Sequence, residues 1–318
     1  IDHPGRHGDA MEFHRLGCPR LYEITAEHGQ GVAELLDEMV RELPESEQEV
    51  ERAETRVAIV GRPNVGKSSL LNRLVGRSRC VVHEMAGTTR DAVDTIVEKG
   101  RQTYRFVDTA GIRRKGKTPS RADRLGVLYA ERAIERAHLC LLVLDGTEGI
   151  MREDAAIAAK VARAGRGAVL VFNKWDLVKD RERRARILGC ETPERLPHLD
   201  FAPLVFVSAL SGRSVSKLLP LVDLIREQQL RRIPTPELNR FLAAATSHYA
   251  PRGRHGKEVK FFFMTQIGVA PPRFVVFANE DKELQRDYSR YLVRRLREGF
   301  GFEGTPVRIV MRKRKQRP

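Results

Sequence analysis

Hydrophobic positions in the first two-thirds of the chain alternate between short apolar runs and segments of helical periodicity. The runs predict buried strands, and the segments between them predict amphipathic helices, because their apolar residues recur every three or four positions. The predicted strands are 56–60, 104–107, 139–144, 168–172 and 204–207. The predicted helices are 68–74, 122–134, 153–162 and 215–225. This alternation predicts an α/β fold, with a mostly parallel sheet and helices on both of its faces.

The pattern changes after Pro234-Thr235-Pro236. The elements predicted beyond it are helices at 238–247 and 288–297 and strands at 259–265, 274–277 and 307–311. This order predicts a small α+β domain. Further upstream, residues 91–98 precede Lys99-Gly100 and predict one arm of an antiparallel hairpin that leads into 104–107. Residues 46–54 are polar, highly charged and without a core pattern, which predicts a linker.

An internal repeat indicates a further domain near the start of the chain. Residues 25–36 and 208–219 share Thr/Ser-Ala, Gly, Val and Leu-Leu at the same offsets. We therefore expect residues 1–45 to be the C-terminal remnant of another α/β domain, most of it absent; coincidence in a common βα unit is the alternative. The chain opens at Ile1 without an initiator Met, so we expect the true N-terminus to precede it. The predicted organisation is remnant 1–45, linker 46–54, complete α/β domain 55–230, small domain 231–311 and basic tail 312–318.

Charge is spread unevenly along the 318 residues. There are 57 Lys and Arg against 42 Asp and Glu, a net charge of +15. Residues 231–318 hold 20 basic and 8 acidic side chains, whereas residues 1–50 hold 4 and 12. A basic C-terminal part predicts an anionic partner, and nucleic acid is favoured over a membrane because no basic amphipathic or lipidated segment stands out.

Composition excludes several classes of protein. The content of 41% hydrophobic residues argues against global disorder, and no apolar run reaches the length of a membrane span. The four cysteines are far apart and form no CxxC, which excludes a disulfide framework and a CxxC zinc site. The start does not resemble a signal peptide, so a cytoplasmic location is expected.

Residues 61–69 read GRPNVGKSS and match the phosphate-binding pattern GxxxxGKS. They lie between a predicted strand and a predicted helix, which is the context required of a P-loop. Gly61 and Gly66 allow the backbone N–H groups to turn towards phosphate oxygens. Lys67 is expected to reach the β- and γ-phosphates, and the Ser68 hydroxyl to bind Mg²⁺. A chance glycine-rich turn is the alternative.

Two more motifs are spaced as the switch segments of a nucleotide site. Asp108 begins the DTAG motif that ends a predicted strand, and we expect it to hold Mg²⁺ through water. Gly111 exposes an N–H that can sense the γ-phosphate. In the GTTRD motif of residues 87–91, Thr89 rather than Thr88 is expected to complete the Mg²⁺ shell, with a helix cap or turn as the alternative.

The NKWD motif at residues 173–176 predicts recognition of a guanine base. The Asp176 carboxylate can accept hydrogen bonds from guanine N1–H and the exocyclic amine, neither of which adenine offers. Asn173 can tie the base loop to the P-loop, and the Lys174 stem can cover the ring. We expect Trp175 mainly to pack, and the Ala209 N–H to donate to guanine O6.

The full set of expected nucleotide contacts joins these motifs. It comprises Gly61, Arg62, Pro63, Asn64, Val65, Gly66, Lys67, Ser68, Ser69, Asp108, Thr109, Ala110, Gly111, Ile112, Asn173, Lys174, Trp175, Asp176, Ser208, Ala209 and Leu210. All of these residues follow the carboxyl ends of predicted strands, where ligands bind in open α/β folds. The combination of NKxD with a P-loop argues against P-loop kinases and ATPases.

These motifs resemble the second GTPase domain of the bacterial EngA/Der family. The match is carried by GRPNVGKSS, GTTRD, DTAGIRRKGK, residues 127–137 and NKWDL. Residues 235–311 resemble the family's C-terminal KH-like domain through Pro271-Pro272 and the motif from Gly301 to Pro306, among others. The resemblance covers nearly the whole chain. It implies a Ras-like P-loop NTPase fold, a mostly parallel sheet with helices on both faces, followed by a small α+β KH-like domain.

The family resemblance also implies a function. It implies a bacterial, cytoplasmic factor that binds GTP and GDP with Mg²⁺, hydrolyses GTP, and acts in maturation of the large ribosomal subunit with ribosomal RNA as partner. No membrane or DNA partner is implied, and the intact family member is expected to be a monomer. Two tandem GTPase domains would explain the repeat. The first one lacks its P-loop and switches here, so no nucleotide is expected at that site.

The sequence leaves the hydrolysis mechanism partly open. Ile112 follows DTAG where some GTPases have a water-orienting Gln, so the attacking water must be positioned otherwise. Resemblance to potassium-stimulated GTPases implies that Asn64 and the loop at about 79–87 hold K⁺; the alternative is that Asn64 merely suits the turn. The expected catalytic residues are thus Lys67, Thr89, Gly111 and Asn64.

Other functions remain as alternatives. One is a nucleotide-gated RNA-binding scaffold with little intrinsic hydrolysis. A tRNA-modification partner is disfavoured by residues 235–311, and an anionic-membrane GTPase by the lack of an anchor. The string GFEG at 301–304 matches the RNA-clamping GXXG only as letters, because it links a helix to a strand, so we interpret it as a turn.

Overall fold

A seven-stranded mixed sheet forms the centre of the larger domain. In the computed structural model the described residues are 54–77, 83–86, 93–109, 129–249, 259–279 and 286–313, all within one unit that spans Arg52–Pro318. The strands are β1 (Glu54–Val60), β2 (His83–Ala86), β3 (Val93–Lys99), β4 (Gln102–Phe106), β5 (Leu139–Asp145), β6 (Gly167–Asn173) and β7 (Leu204–Phe206). Their order is β2-β3-β4-β1-β5-β6-β7, with β4 to β7 in this order parallel and β3 antiparallel to both neighbours. The predicted parallel sheet and hairpin are confirmed.

Helices pack on both faces of this sheet. They are α1 (Lys67–Arg77), α2 (described over residues 129–136), α3 (Arg152–Arg163), α4 (Arg181–Arg195) and α5 (Leu218–Leu230). Helices α1 and α5 share one core with the sheet, and α2, α3 and α4 share the other. Every residue of β5 and β6 is buried, which is why these strands read as unbroken apolar runs. Among the described residues no helix is long and apolar enough to cross a membrane.

Two elements of this domain were not predicted. Helix α4 is mostly charged, and of its residues only Leu188 and Thr192 are buried, so its apolar stripe is too narrow to show helical periodicity. Strand β2 lies inside the segment expected to be a loop at about 79–87, which is a correction. Residues 83–86 pair with β3 because the edge of that strand would otherwise expose unpaired N–H and C=O groups.

A three-stranded sheet and two helices form the smaller domain, as predicted. Its elements are α6 (Thr235–His248), β8 (Phe261–Gly268), β9 (Arg273–Ala278), α7 (Arg286–Phe300) and β10 (Arg308–Lys313). The sheet order is β10-β9-β8, and both helices contribute to its core. Strand β10 runs two residues past the predicted boundary at 311, because Arg312 and Lys313 pair with Phe277 and Ala278.

The turn at 301–304 joins the smaller domain to the larger one. The N–H of Ala168, at the start of β6, donates to the carbonyl of Gly304 (2.8 Å), and the Gly304 N–H donates to the carbonyl of Phe201 (3.0 Å). The Phe302 side chain is fully buried in the core of the smaller domain. The interpretation of GFEG as a turn is confirmed, and its role is to dock one domain on the other.

Two adjacent glutamines near the end of α5 strengthen this junction. The Gln228 Oε1 accepts from the Phe302 N–H (2.8 Å), and the Gln229 carbonyl accepts from the Ala270 N–H (3.0 Å). Three of the hydrogen bonds at this junction join main-chain groups of the two domains, so the two backbones are held directly against each other.

Replacing Gly304 should weaken this junction. Its φ of +68° lies in the left-handed region, and an added Cβ would collide with the Ile225 side chain. We expect Gly304→Ala to lower the free energy of unfolding by about 1–3 kcal/mol, measured by urea denaturation. Gly299→Ala is the matched control: a Cβ there meets no atom within 4 Å on helix α7, so stability should stay equal or rise by up to about 1 kcal/mol. An unchanged Gly304→Ala protein would contradict the docking role.

Candidate guanine-nucleotide site

The loop from residue 61 to residue 66 connects β1 to α1 in a strained conformation. Gly66 has φ +98° and Asn64 has φ +62°, both in the left-handed region. A Cβ on Gly66 would collide with the side-chain amide of Asn173, and one on Gly61 with the carbonyl of Val143. The two glycines are therefore required by close approach of neighbouring groups as well as by backbone conformation.

Lys67, the first residue of α1, folds back over this loop. Its Nζ donates to the carbonyls of Gly61 (2.8 Å) and Arg62 (2.7 Å). Burial lowers the pKa of Lys67 to about 8, and the negative charge of Asp154 only partly opposes this. The ammonium is thus held at the mouth of the loop, where phosphate oxygens can replace the two carbonyls.

Arg62 fastens the outer side of the P-loop to helix α3. Its guanidinium forms an ion pair with Glu148 and lies near the fully buried Asp154 (Nε to Oδ2, 3.4 Å). Asp154 also accepts the N–H of Met151 (3.0 Å), which caps α3. The sequence reasoning missed both acids. Asp154 lies in an acidic first turn, which is ordinary for a solvated helix start, and Glu148 lies in the connection before α3.

Asn173, at the carboxyl end of β6, joins the P-loop to the base loop. Its Nδ2 donates to the carbonyl of Val65 (2.8 Å), and its Oδ1 accepts the N–H of Ala209 (2.9 Å). The Ala209 N–H is therefore occupied, and the expected bond to guanine O6 requires that it exchange partners. Ser208 is fully buried and Leu210 is 77% exposed, so the loop turns sharply outward here.

The other three residues of the NKWD motif have different roles, because Trp175 packs in the core whereas Asp176 can bind a ligand. The Trp175 ring is buried against Phe206, with centroids 4.3 Å apart, as the packing interpretation expected. Lys174 has φ +60° and its Nζ lies 2.6 Å from Asp145 Oδ2, which fixes the stem. The Asp176 carboxylate is partly exposed and has no hydrogen bond or ion pair to any described residue, so it can accept from a base.

Arg73 on α1 supports the base loop from below. Its Nε donates to the carbonyl of Ala209 (3.0 Å) and its Nη2 to that of Leu210. The sequence reasoning missed Arg73, as it missed Asp145, because a charged residue on a predicted helix or at a strand end is typical of solvated positions.

An ion pair between the buried Asp94 and the half-buried Arg136 holds the start of the DTAG motif. The Asp94 Oδ1 accepts the N–H of Asp108 (3.0 Å), and Arg136 donates to both oxygens of Asp94 (2.6 and 3.2 Å). Asp108 has φ +55°, so this support offsets a strained backbone. Burial raises the pKa of Asp108, although the charge of Arg136 opposes the shift.

The residues present suit a magnesium ion. The buried Oδ2 of Asp108 has no hydrogen-bond partner among the described residues and lies 3.8 Å from Arg136 Nη1. A carboxylate and the Ser68 hydroxyl are the hard oxygen donors that Mg²⁺ prefers. Thr88, Thr89, Ala110, Gly111 and Ile112 lie outside the described residues, so their expected roles stay predictions.

Comparison with known proteins gives a consistent picture. A family model described as 50S ribosome-binding GTPase matches residues 56–174, and one described as KH-domain-like of EngA bacterial GTPase enzymes, C-terminal, matches residues 232–312. GTPase Der of Citrifermentans bemidjiense is 44% identical over 317 residues, covering 99% of this chain and 72% of that protein. GTPase Der of Syntrophotalea carbinolica is 42% identical over 319 residues, covering 100% and 73%. The structure of Era with MgGDPNP and a 16S ribosomal RNA fragment is 23% identical, covers 82% of this chain and 92% of that one, and has a TM-score of 0.42.

Nucleotide affinity should depend on the protonation of Lys67. With a pKa of about 8 in the free protein, Lys67 is charged below that pH, whereas above it binding to phosphate must take up a proton. We expect the dissociation constant for GDP to be flat near pH 7 and to rise above about pH 8 by up to tenfold per pH unit, measured by fluorescence titration. The Lys67→Arg control keeps its charge throughout. An identical pH profile in both proteins would contradict this assignment.

Proposed function

The chain belongs to the EngA/Der family of GTPases, and we propose that it acts in maturation of the large ribosomal subunit, hydrolysing GTP as it does so. The observation that carries the proposal is a basic KH-like domain docked by main-chain hydrogen bonds on a GTPase domain. Residues 231–318 hold 20 basic and 8 acidic side chains, which favours an RNA partner. The printed description of the matching GTPase family model, 50S ribosome-binding GTPase, supports the same partner.

Within this proposal each part of the pocket has a role. Lys67 and the P-loop amides bind the phosphates, and Asp176 selects guanine. Ser68 and Thr89, with Asp108 through water, are the residues that would hold Mg²⁺. When bound, that ion supplies positive charge to the phosphoryl oxygens. The Gly111 N–H would report the γ-phosphate, so the two switch segments change with the nucleotide.

Potassium is a further part of the proposal. Asn64 is exposed at the tip of the P-loop and has no hydrogen bond to any described residue, so its amide oxygen is free to bind a cation. A K⁺ ion beside the phosphates would place positive charge where other GTPases use an arginine. This would compensate for Ile112, which cannot orient water.

We also propose the domain organisation. Residues 54–230 are the GTPase domain and residues 231–313 the KH-like domain, because β1 begins at Glu54 and β10 ends at Lys313. Residues 314–318 are a basic tail, and residues 1–45 are the remnant of a preceding GTPase domain, followed by a linker from residue 46. The repeat between residues 25–36 and 208–219 supports this last assignment. The protein would work as a monomer in the bacterial cytoplasm, where ribosomes assemble.

Association with large ribosomal subunits should be direct and dependent on salt. We expect the protein to co-sediment with large-subunit precursors, and its affinity to fall steeply as KCl is raised, because phosphate contacts release counterions. Added subunits should also accelerate phosphate release from GTP in single-turnover measurements. Binding without any acceleration would favour the scaffold alternative, and no binding at low salt would contradict the proposed partner.

The same assay tests the cation. Phosphate release should be faster in KCl than in NaCl of the same concentration, with or without subunits. Equal rates in both salts would remove K⁺ from the mechanism and leave the rest of the proposal intact.

The base site is tested by a change of nucleotide. We expect Asp176→Asn to lose affinity for GTP by about 10²-fold or more and to gain affinity for xanthosine triphosphate, because an amide can donate to the added carbonyl of xanthine. Competition binding with both nucleotides measures the change. A variant that still prefers GTP would rule out the proposed contact between Asp176 and the base.

A further inference from the structure

Four arginines gather where the two domains meet, and we call them the arginine seam: Arg56, Arg166 and Arg226 of the GTPase domain and Arg308 of the KH-like domain. Arg56 lies near the start of β1, and Arg166 directly precedes β6. The P-loop and the NKWD motif follow the opposite ends of these same strands. The seam is therefore at the amino edge of the sheet, away from the nucleotide site, and the assigned function gives it no role.

His138 connects two members of the seam. The Arg56 Nη2 lies 3.0 Å from His138 Nε2. The carbonyl of His138 accepts from Gln229 Nε2 (2.9 Å), and Gln229 Oε1 in turn accepts from Arg226 Nη1 (3.2 Å). Arg56 and Arg226 thus lie on the two sides of one short chain of hydrogen bonds.

The other two members flank the turn before β6. Arg308 Nη2 donates to the carbonyl of Arg163 (3.2 Å), reaching across from the KH-like domain. Arg166 Nη2 donates to the carbonyl of Glu135 (2.6 Å), while its Nε is buried without a hydrogen-bond partner among the described residues. The seam therefore spans both domains, and one of its donors, the buried Arg166 Nε, has no partner among the described residues.

The positive charge of the seam is not neutralised locally. All four guanidinium groups contact carbonyls, a side-chain amide or an imidazole, and none pairs with a carboxylate in the part of the chain that the structure describes. The charge of Glu54 raises the pKa of His138, but this carboxylate is already paired with Arg105 (Oε2 to Nη2, 2.7 Å). Burial first, and then the charges of Arg226, Arg56 and Arg166, lower the pKa of His138 to about 4.

We propose that the arginine seam binds the phosphodiester backbone of ribosomal RNA. Guanidinium groups present planar, paired donors that match phosphate oxygens, and backbone contacts of this kind need no particular base. Arg166 and Arg226 are half-buried, whereas Arg56 and Arg308 are exposed, so the four charges do not form the evenly exposed face that a flat bilayer would favour. The inference rests on the proposed function and adds a contact on the GTPase domain itself.

The test removes one arginine from each domain. In Arg226→Gln/Arg308→Gln, binding to a deproteinised transcript of large-subunit ribosomal RNA should lose about 1.4–1.8 from the slope of log affinity against log salt. Affinity at about 0.1 M salt should then fall by about 25- to 60-fold. Intrinsic GTP hydrolysis should match that of the parent, and the variant should remain folded at the assay temperature.

A double variant with the same change of charge is the control. Arg195 and Arg294 each pair with a glutamate four residues away, so Arg195→Gln/Arg294→Gln should leave the slope unchanged. If the seam double variant unfolds, Arg56→Gln alone should lower the slope by about 0.7–0.9, since Arg56 is exposed.

Each outcome decides between the hypotheses. An unchanged slope in the seam variants, with a parent that binds RNA, overturns the seam and leaves the proposed function standing. A parent that binds neither the RNA nor ribosomal particles overturns the proposed function. Loss of binding to phosphatidylserine vesicles, with RNA binding intact, would assign the seam to a membrane and overturn the RNA proposal.

Discussion

The buried side-chain amide of Asn173 is the interaction on which the rest of the nucleotide site depends. One end donates to the carbonyl of Val65 and the other accepts the N–H of Ala209, so loops from three strands are held by one group. A carboxylate can only accept and a hydrocarbon can do neither, so a neutral amide is needed here. Gly66 follows from the same constraint, because the amide occupies the space of its side chain. The phosphate and base halves of the pocket therefore keep a fixed spacing, as a ligand of fixed length requires.

A second layer of charged residues holds the loops around that amide. Asn64, Asp108 and Lys174 all have left-handed backbones, each at a cost of about 1–3 kcal/mol for a residue with a side chain. For Asp108 and Lys174 the strain persists because charged neighbours hold them: Asp94, itself paired with Arg136, accepts the Asp108 N–H, and Asp145 pairs with Lys174. The sheet fixes where the loops of the nucleotide site lie, and these ion pairs stabilise the backbone conformation of Asp108 and Lys174.

How much of this structure the sequence predicts depends on how far apart the contacting residues lie along the chain. Strands β5 and β6 are predictable because burial on both faces leaves a local apolar run, and the P-loop because its glycines are close in sequence. Arg136 is 42 residues from Asp94, and Arg73 is 136 from the carbonyl it binds, so no local pattern marks either partner. Helix α4 was not predicted because only Leu188 and Thr192 of its residues are buried, which leaves no apolar periodicity in the sequence.

Strand β6 contacts a different part of the molecule at each of its two ends. At one end the Ala168 N–H is bonded to Gly304 of the KH-like domain, and at the other Asn173 governs the base loop. All seven residues of β6 are buried and paired with β5, and Leu170, Val171 and Phe172 also pair with β7. The KH-like domain and the base loop are thus held by opposite ends of the same rigid strand. A partner that displaces the KH-like domain would therefore pull on the same strand that carries Asn173, and so on the spacing between the phosphate and base loops.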